Sequence, residues 1–198
     1  MLTREQLLAM FRKSNALMRG HFELSSGLHS GHYFQCAQVL QHPKYSLQIG
    51  KEMARRFKSA KPTAVVGPAA GGILVSFVTA QGFGGDVRSM YTERVDSEMQ
   101  LRRGFNIAKK ERILIVEDAI TTGESARKVA TLIESYGAKV VGIGCVVDRS
   151  GGKAKFPGYK FQHLFALAFE TFPPHDCPLC DEQIPVTRPG RIPRKAVL

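Results

Sequence analysis

A chain of 198 residues, 43% hydrophobic and 9% aromatic, is sized for one domain and can bury a real core, which excludes extensive disorder. Its formal net charge of +11 nominates polyanions (nucleic acid, an anionic membrane surface or small anionic substrates) without choosing among them. Four scattered cysteines, Cys36, Cys145, Cys177 and Cys180, exclude a disulfide-stapled secreted fold and suit a reducing compartment.

From Met1 to Gly20 the chain mixes Arg4, Glu5, Arg12 and Lys13 among apolar residues, so it lacks the apolar centre of a signal peptide. Leu7, Leu8, Phe11, Leu17 and Met18 fall at helical spacing behind a Thr3/Gln6 capping box, which predicts a helix over Thr3 to Met18. Phe22 to Phe34 alternates Ser, Gly and His with aromatics and reads as short strands and turns. A second helix is expected over Lys44 to Phe57. Thr63 to Gly67 is a short β-branched strand, followed by Pro68 to Gly72 and an apolar helix.

Asp86 to Tyr91 reads as the next strand, and the charged stretch Thr92 to Phe105 as a hairpin or mobile loop. Arg112 to Val116 is the strongest strand, and a helix over Glu124 to Tyr136 ends at Gly137. Lys139 to Val147 is another buried strand, and Tyr159 to Phe169 supplies one more. No apolar stretch is long enough to cross a bilayer, so a soluble, cytoplasmic protein is expected. Apolar strands alternating with helices predict an α/β fold with a central, mainly parallel sheet flanked by helices. The domain spans residues 1–184, and residues 185–198 form a basic, Pro-rich tail, extended or frayed.

The chemistry concentrates in one segment. The strand over Arg112 to Val116 delivers Glu117 and Asp118 to its carboxyl edge, two apolar residues follow (Ala119 and Ile120), and then Thr121, Thr122, Gly123, Glu124 and Ser125 lead into a helix. Ligands of open parallel sheets bind beyond the carboxyl ends of the strands, and a helix N-terminus receives phosphate on free backbone N–H groups. Adjacent carboxylates want sugar hydroxyls or a hard cation. A sugar phosphate satisfies both demands, whereas a Thr-Thr-Gly turn alone would be only a cap. Neither a P-loop nor a G-x-G-x-x-G turn occurs at a strand–helix junction.

This segment resembles the phosphoribosyl pyrophosphate (PRPP) signature of type I phosphoribosyltransferases. Most of the remaining chain is similar to orotate phosphoribosyltransferases of a short bacterial form. His21 to Ser30 with Tyr33 resembles the family's F-x-L-x-S-G-x-x-S element against the base. Val66 to Gly72, with Gly71 and Gly72, resembles the pyrophosphate loop. Residues 92–105, with Arg102 and Arg103, resemble the flexible catalytic loop, and Arg149 stands where the family places an orotate-binding arginine. Longer family members carry Lys at the Ser25 position and an aromatic–Lys pair at Ala70 and Gly71.

The resemblance implies transfer of the phosphoribosyl group from PRPP to orotate, giving orotidine 5′-monophosphate for pyrimidine biosynthesis. It implies a small hood built from about residues 1–40 and 155–184. PRPP would meet Gly71, Gly72 and Glu117 to Ser125; orotate would meet Thr121 and Arg149. Glu117, Asp118, Arg102 and Arg103 would serve catalysis. Magnesium would arrive with PRPP, without direct protein ligands. A homodimer is implied, since the basic loop usually enters the neighbouring subunit's site; no nucleic-acid or membrane partner is expected.

From its residues alone, Arg149 reads equally well as an ion-pair partner of Asp148 or another acid. A carboxylate at Glu124 would repel phosphate unless it faces solvent. The other readings are a phosphoribosyltransferase for another base and a PRPP-sensing nucleic-acid regulator on the same fold, though no nucleic-acid-binding motif stands out. Cys177-Pro-Leu-Cys180 is one C-x-x-C, half of a zinc site, with His175 nearby and no second pair. Cys36 and Cys145 could complete it only by a coincidence of folding. His21, His29, His32, His42 and His163 lack metal spacing and read as surface or core residues.

Overall fold

The computed structural model describes residues 1–24 and 26–189. The expectations for Ser25 and for the tail beyond residue 189 lie outside the described residues. Helix α1 (Arg4–Lys13) opens on the expected capping box: Thr3 Oγ1 accepts the Gln6 N–H at 3.2 Å, and Gln6 Oε1 accepts the Thr3 N–H at 2.9 Å. Such a cap is worth about 1 kcal/mol. The helix stops short of Met18 because Asn15 turns left-handed at φ 54°. Leu17 and Met18 instead begin β1 (Leu17–Glu23), which pairs antiparallel with β2 (His29–Phe34).

After α2 (Cys36–Leu40) and α3 (Pro43–Arg56) comes the central sheet. Its strands are β3 (Ala64–Pro68), β4 (Arg88–Val95), β5 (Glu98–Leu101), β6 (Arg112–Ile120), β7 (Lys139–Asp148) and β8 (Phe161–Ala166). They lie in the order β5-β4-β3-β6-β7-β8, all parallel except edge strand β5. Helix α4 (Gly71–Phe83) connects β3 to β4, and α5 (Glu124–Ser135) connects β6 to β7.

Strand alternation sends β6 side chains to both faces. Leu114 and Val116 join one apolar cluster with Val75 and Ala80 of α4, together with Phe11, Met53 and Phe57. Ile113 and Ile115 join the other, with Ala126, Val129 and Ile133 of α5. Both faces are therefore covered, as continuously apolar strands require. Phe11 meets Phe34 and Phe165 edge to face at 5.0 and 5.5 Å. Burying each such ring stabilises by roughly 1.5–3 kcal/mol. Helices α3 and α4 cross almost backbone to backbone: a Cβ at Gly50 would lie 2.1 Å from Val78 O.

The chain's end returns to the first hairpin. After the short helix α6 (Pro178–Asp181), Thr187 pairs with Phe22, while Phe172 pairs with His29 further upstream. No helix among the described residues is long and apolar enough to cross a membrane.

Candidate functional site

Strands β3 and β6 are neighbours, yet the chain leaves them in opposite directions, toward β4 and toward β7. Their carboxyl ends therefore open a crevice where the winding reverses, the place where such sheets bind ligands. Glu117 and Asp118 lie inside β6 and not beyond it: the strand runs on to Ile120, four residues past the expected end at Val116. Pairing explains the extension, since Ala119 and Ile120 are matched to Val147 and Asp148 of β7.

The acid pair is held in an unusual electrostatic state. Burial, and next the neighbouring Asp118 carboxylate, push Glu117 up to about 7, with the Ala126 backbone amide opposing them. Glu117 Oε1 is buried and has no hydrogen-bond partner. Burial also raises Asp118, against the pull of the Ala119 and Asp118 amides and the Arg149 guanidinium. A buried, underpartnered carboxylate is costly to charge and ready for a hydroxyl or cation to complete it.

Beyond the acids, Thr121 and Thr122 are exposed and Ser125 half-buried, all lining one small concavity with Glu117, Gly123 and Glu124. Gly123 is left-handed at φ 79°, and a Cβ there would strike the Phe156 ring at 2.6 Å. It places no side chain over the amides that open α5, leaving them to an anion. Arg127 braces the turn by donating to Thr122 O at 2.8 Å. Glu124 is exposed at the rim of this concavity and pairs with Lys128 at 3.2 Å, which offsets its charge there.

Gly71, after β3, comes directly against Asp118, where an added Cβ would lie 2.3 Å from Asp118 Cγ; Gly72 packs back on the end of β3, where one would lie 2.8 Å from Pro68 Cδ. Arg149 follows the end of β7, with its N–H donating to Ile120 O at 2.7 Å. Asp148 does not pair with it; that carboxylate accepts the Ser150 N–H at 2.8 Å and lies 3.8 Å from His163. The fold thus gathers Gly71, Gly72, Glu117 to Ser125 and Arg149 along one sheet edge.

Arg102 and Arg103 are engaged within their own hairpin, whose strand β4 borders the loop after β3 through the Ala69 N–H to Thr92 O bond at 2.8 Å. The 92–105 stretch forms a hairpin, β4–β5, and both guanidiniums bind Glu93 across it, at 3.4 and 2.7 Å. Sequence reasoning also missed one side-chain cluster. His21, His29, Cys177 and Cys180 converge, contrary to the reading of the C-x-x-C as a pair without partners. Only the pairing of the chain's end with the first hairpin could have revealed it.

Residues 35–161 match the family model of the phosphoribosyl transferase domain. The chain is 47% identical over 189 residues to an orotate phosphoribosyltransferase of Desulforamulus reducens, covering 96% of this chain and 97% of that protein. It is 44% identical over 181 residues to one of Thermotoga maritima, covering 91% and 95%. The crystal structure of Mycobacterium tuberculosis orotate phosphoribosyltransferase with inorganic phosphate superposes with a TM-score of 0.70. That likeness covers 83% of this chain and 95% of that one at 24% identity, and is a likeness of fold.

Proposed function

The chain belongs to the phosphoribosyltransferase family, among the orotate phosphoribosyltransferases, and from this premise we propose how its residues divide the work. The enzyme transfers the 5-phosphoribosyl group of PRPP to orotate, giving orotidine 5′-monophosphate and pyrophosphate in pyrimidine biosynthesis. A nitrogen of orotate displaces pyrophosphate from the anomeric carbon with inversion. Positive charge builds on the ribose and negative charge on the departing pyrophosphate, so catalysis is positioning and electrostatics without a covalent nucleophile.

Glu117 and Asp118 hold the ribose hydroxyls and favour the developing positive charge. Thr121, Thr122, Ser125 and the backbone from Ala119 to Glu124 take the 5′-phosphate. The amides of Gly71 and Gly72 face the pyrophosphate. Arg149 grips the orotate carboxylate in a two-pronged hydrogen bond, with Thr121 as the second orotate contact. The unpartnered Glu117 Oε1 fits a site that meets sugar hydroxyls and the cation they share. Glu117 and Asp118 would hold a magnesium ion carried by PRPP through the shared ribose hydroxyls, and the ion would supply neutralisation of the pyrophosphate charge.

Arg102 and Arg103 reach the pyrophosphate of a second subunit's site when their hairpin closes, and exclude water there. Both side chains are exposed and tied to Glu93 of their own hairpin, which agrees with action in trans. So do Leu74 and Phe77 of α4, apolar yet 47% and 59% exposed, as on a homodimer face. A cytoplasmic location agrees with four free cysteines among the described residues.

One observation carries the assignment of roles: a buried, partly unpaired acid pair lies between a glycine loop and an open helix N-terminus, within electrostatic reach of Arg149. Its test follows base consumption with PRPP and magnesium, offering orotate, adenine, guanine, xanthine and uracil separately. Orotate alone should be consumed. Turnover of another base would discard the orotate contacts, and PRPP binding without turnover of any base would favour a regulator.

A further inference from the structure

The side chains of His21, His29, Cys177 and Cys180 bring their donor atoms within 4.8 Å of one another, well away from the acid pair in sequence and role. His21 Nε2 lies 2.8 Å from His29 Nδ1, 3.6 Å from Cys177 Sγ and 3.8 Å from Cys180 Sγ. Cys180 Sγ is 3.3 Å from His29 Nδ1. A tetrahedron with zinc–nitrogen bonds of about 2.0–2.1 Å and zinc–sulfur bonds of about 2.3 Å has N···S edges of roughly 3.6 Å and an N···N edge of roughly 3.3 Å. Three sulfur–nitrogen edges already fit, and the two imidazoles need part by only about half an ångström. We propose that these four residues form a structural zinc site that clamps the β1–β2 hairpin to the chain's C-terminal segment.

Three further features fit this reading. His21 Nδ1 lies 2.7 Å from Ile184 O, so the proton on Nδ1 is fixed there and the Nε2 lone pair points into the cluster. That outer hydrogen bond is the usual orienting contact of a metal-bound histidine. Next, His21, His29 and Cys177 are all buried, and two thiolates neutralise a divalent cation, so the assembled site carries no net charge into the interior. Binding would release the two thiol protons to solvent. Two thiolates and two imidazoles with no open position are the donor set of a closed structural zinc site.

The ligand positions are also where the chain's end joins the hairpin. His29 N donates to Phe172 O at 2.8 Å, Phe172 N returns a bond to His29 O at 2.9 Å, and Thr187 N donates to His21 O at 2.8 Å. A two-stranded sheet is marginal alone. A metal tying both strands to the segment after Phe172 supplies the missing cross-link and fixes the turn between His21 and His29.

The test is elemental analysis of the full chain, expressed with zinc and purified without chelators. One zinc per chain is expected, and cobalt in its place should give thiolate charge-transfer and intense tetrahedral ligand-field bands. Cys177→Ser should reduce zinc to background, while His175→Ala, exposed beside the C-x-x-C, should keep it. Since Cys177→Ser could unfold the hood, the wild-type protein is also titrated with an organic mercurial, reading released zinc with a chromogenic chelator. Release in step with thiol blocking supports the site. Folded protein without zinc, zinc that survives Cys177→Ser or mercurial treatment, or a native Cys177–Cys180 disulfide seen as a two-dalton mass loss, would overturn it.

Discussion

Gly71→Ala isolates the contact between the loop after β3 and the acid pair. The added Cβ would lie 2.3 Å from Asp118 Cγ and 2.4 and 2.6 Å from its two oxygens, far inside ordinary contact. Gly71 is the first residue of α4 and does not need a positive φ, so alanine would otherwise help the helix by roughly 0.5–1 kcal/mol. Overpacking costs roughly 1–3 kcal/mol, so the clash outweighs the helix gain for all but its smallest values, with a net loss of up to about 2 kcal/mol. Relief requires Asp118 to swing out of place, and a displacement of about 1 Å costs on the order of a hundredfold in rate. Urea unfolding reads the first effect and the initial rate of orotate consumption the second. With Asp118→Ala in the background the obstacle is gone, and Gly71→Ala should cease to destabilise. A single variant that unfolds at the wild-type urea midpoint and turns over at the wild-type rate refutes this reasoning.

Glu117 links activity and stability to pH with opposite signs. Its pKa is raised to about 7 in the fold, so the native state holds a proton that the unfolded chain has lost. The stabilisation is therefore complete below the unfolded value and lost as pH rises through about 7, amounting to roughly 3 kcal/mol at most. Urea midpoints between acid and neutral pH should show this fall in the wild type and not in Glu117→Gln. By contrast, kcat/KM for PRPP should rise through the same pH window as the carboxylate ionises; a flat profile counts against the ribose role. Arg102→Ala/Arg103→Ala and Glu117→Gln should each be nearly inactive alone, yet recover roughly a quarter of wild-type activity when unfolded and refolded together, as half the dimers then own one complete site. Failure to recover would place the arginines outside a shared site. Phe77→Glu should sediment as a monomer and lose the same activity; a dimeric, active variant would move the interface off α4.

Most of the sheet was legible because β6 and β7 are apolar on both faces, a pattern that only a doubly covered parallel sheet explains. The acid pair and its loop were legible for the same reason: strand, carboxylates and helix start follow in one stretch of chain. Leu17 and Met18 misled because an apolar pair about two turns beyond Phe11 continues a helical stripe equally well, and nothing local reveals that Asn15 breaks it. The β4–β5 hairpin was legible only as an alternative to a mobile loop, because its turn uses Asp96 and Ser97 at positive φ, 47° and 70°, where Asn-Gly would have announced it outright. The histidine–cysteine cluster was illegible for a different reason. Its two halves lie at opposite ends of the chain and meet only through backbone pairing of His21 with Thr187 and His29 with Phe172.

The central claim is that Arg149 reads the carboxylate distinguishing orotate from uracil. The most direct measurement compares kcat/KM for orotate and uracil, with PRPP and magnesium, in the wild type and in Arg149→Ala. Removing one member of a buried charge pair costs roughly 2–5 kcal/mol, so orotate turnover should fall by at least thirtyfold, with uracil and PRPP binding little changed. A wild type that uses uracil as readily as orotate, or an Arg149→Ala variant that keeps its preference for orotate, would contradict the account.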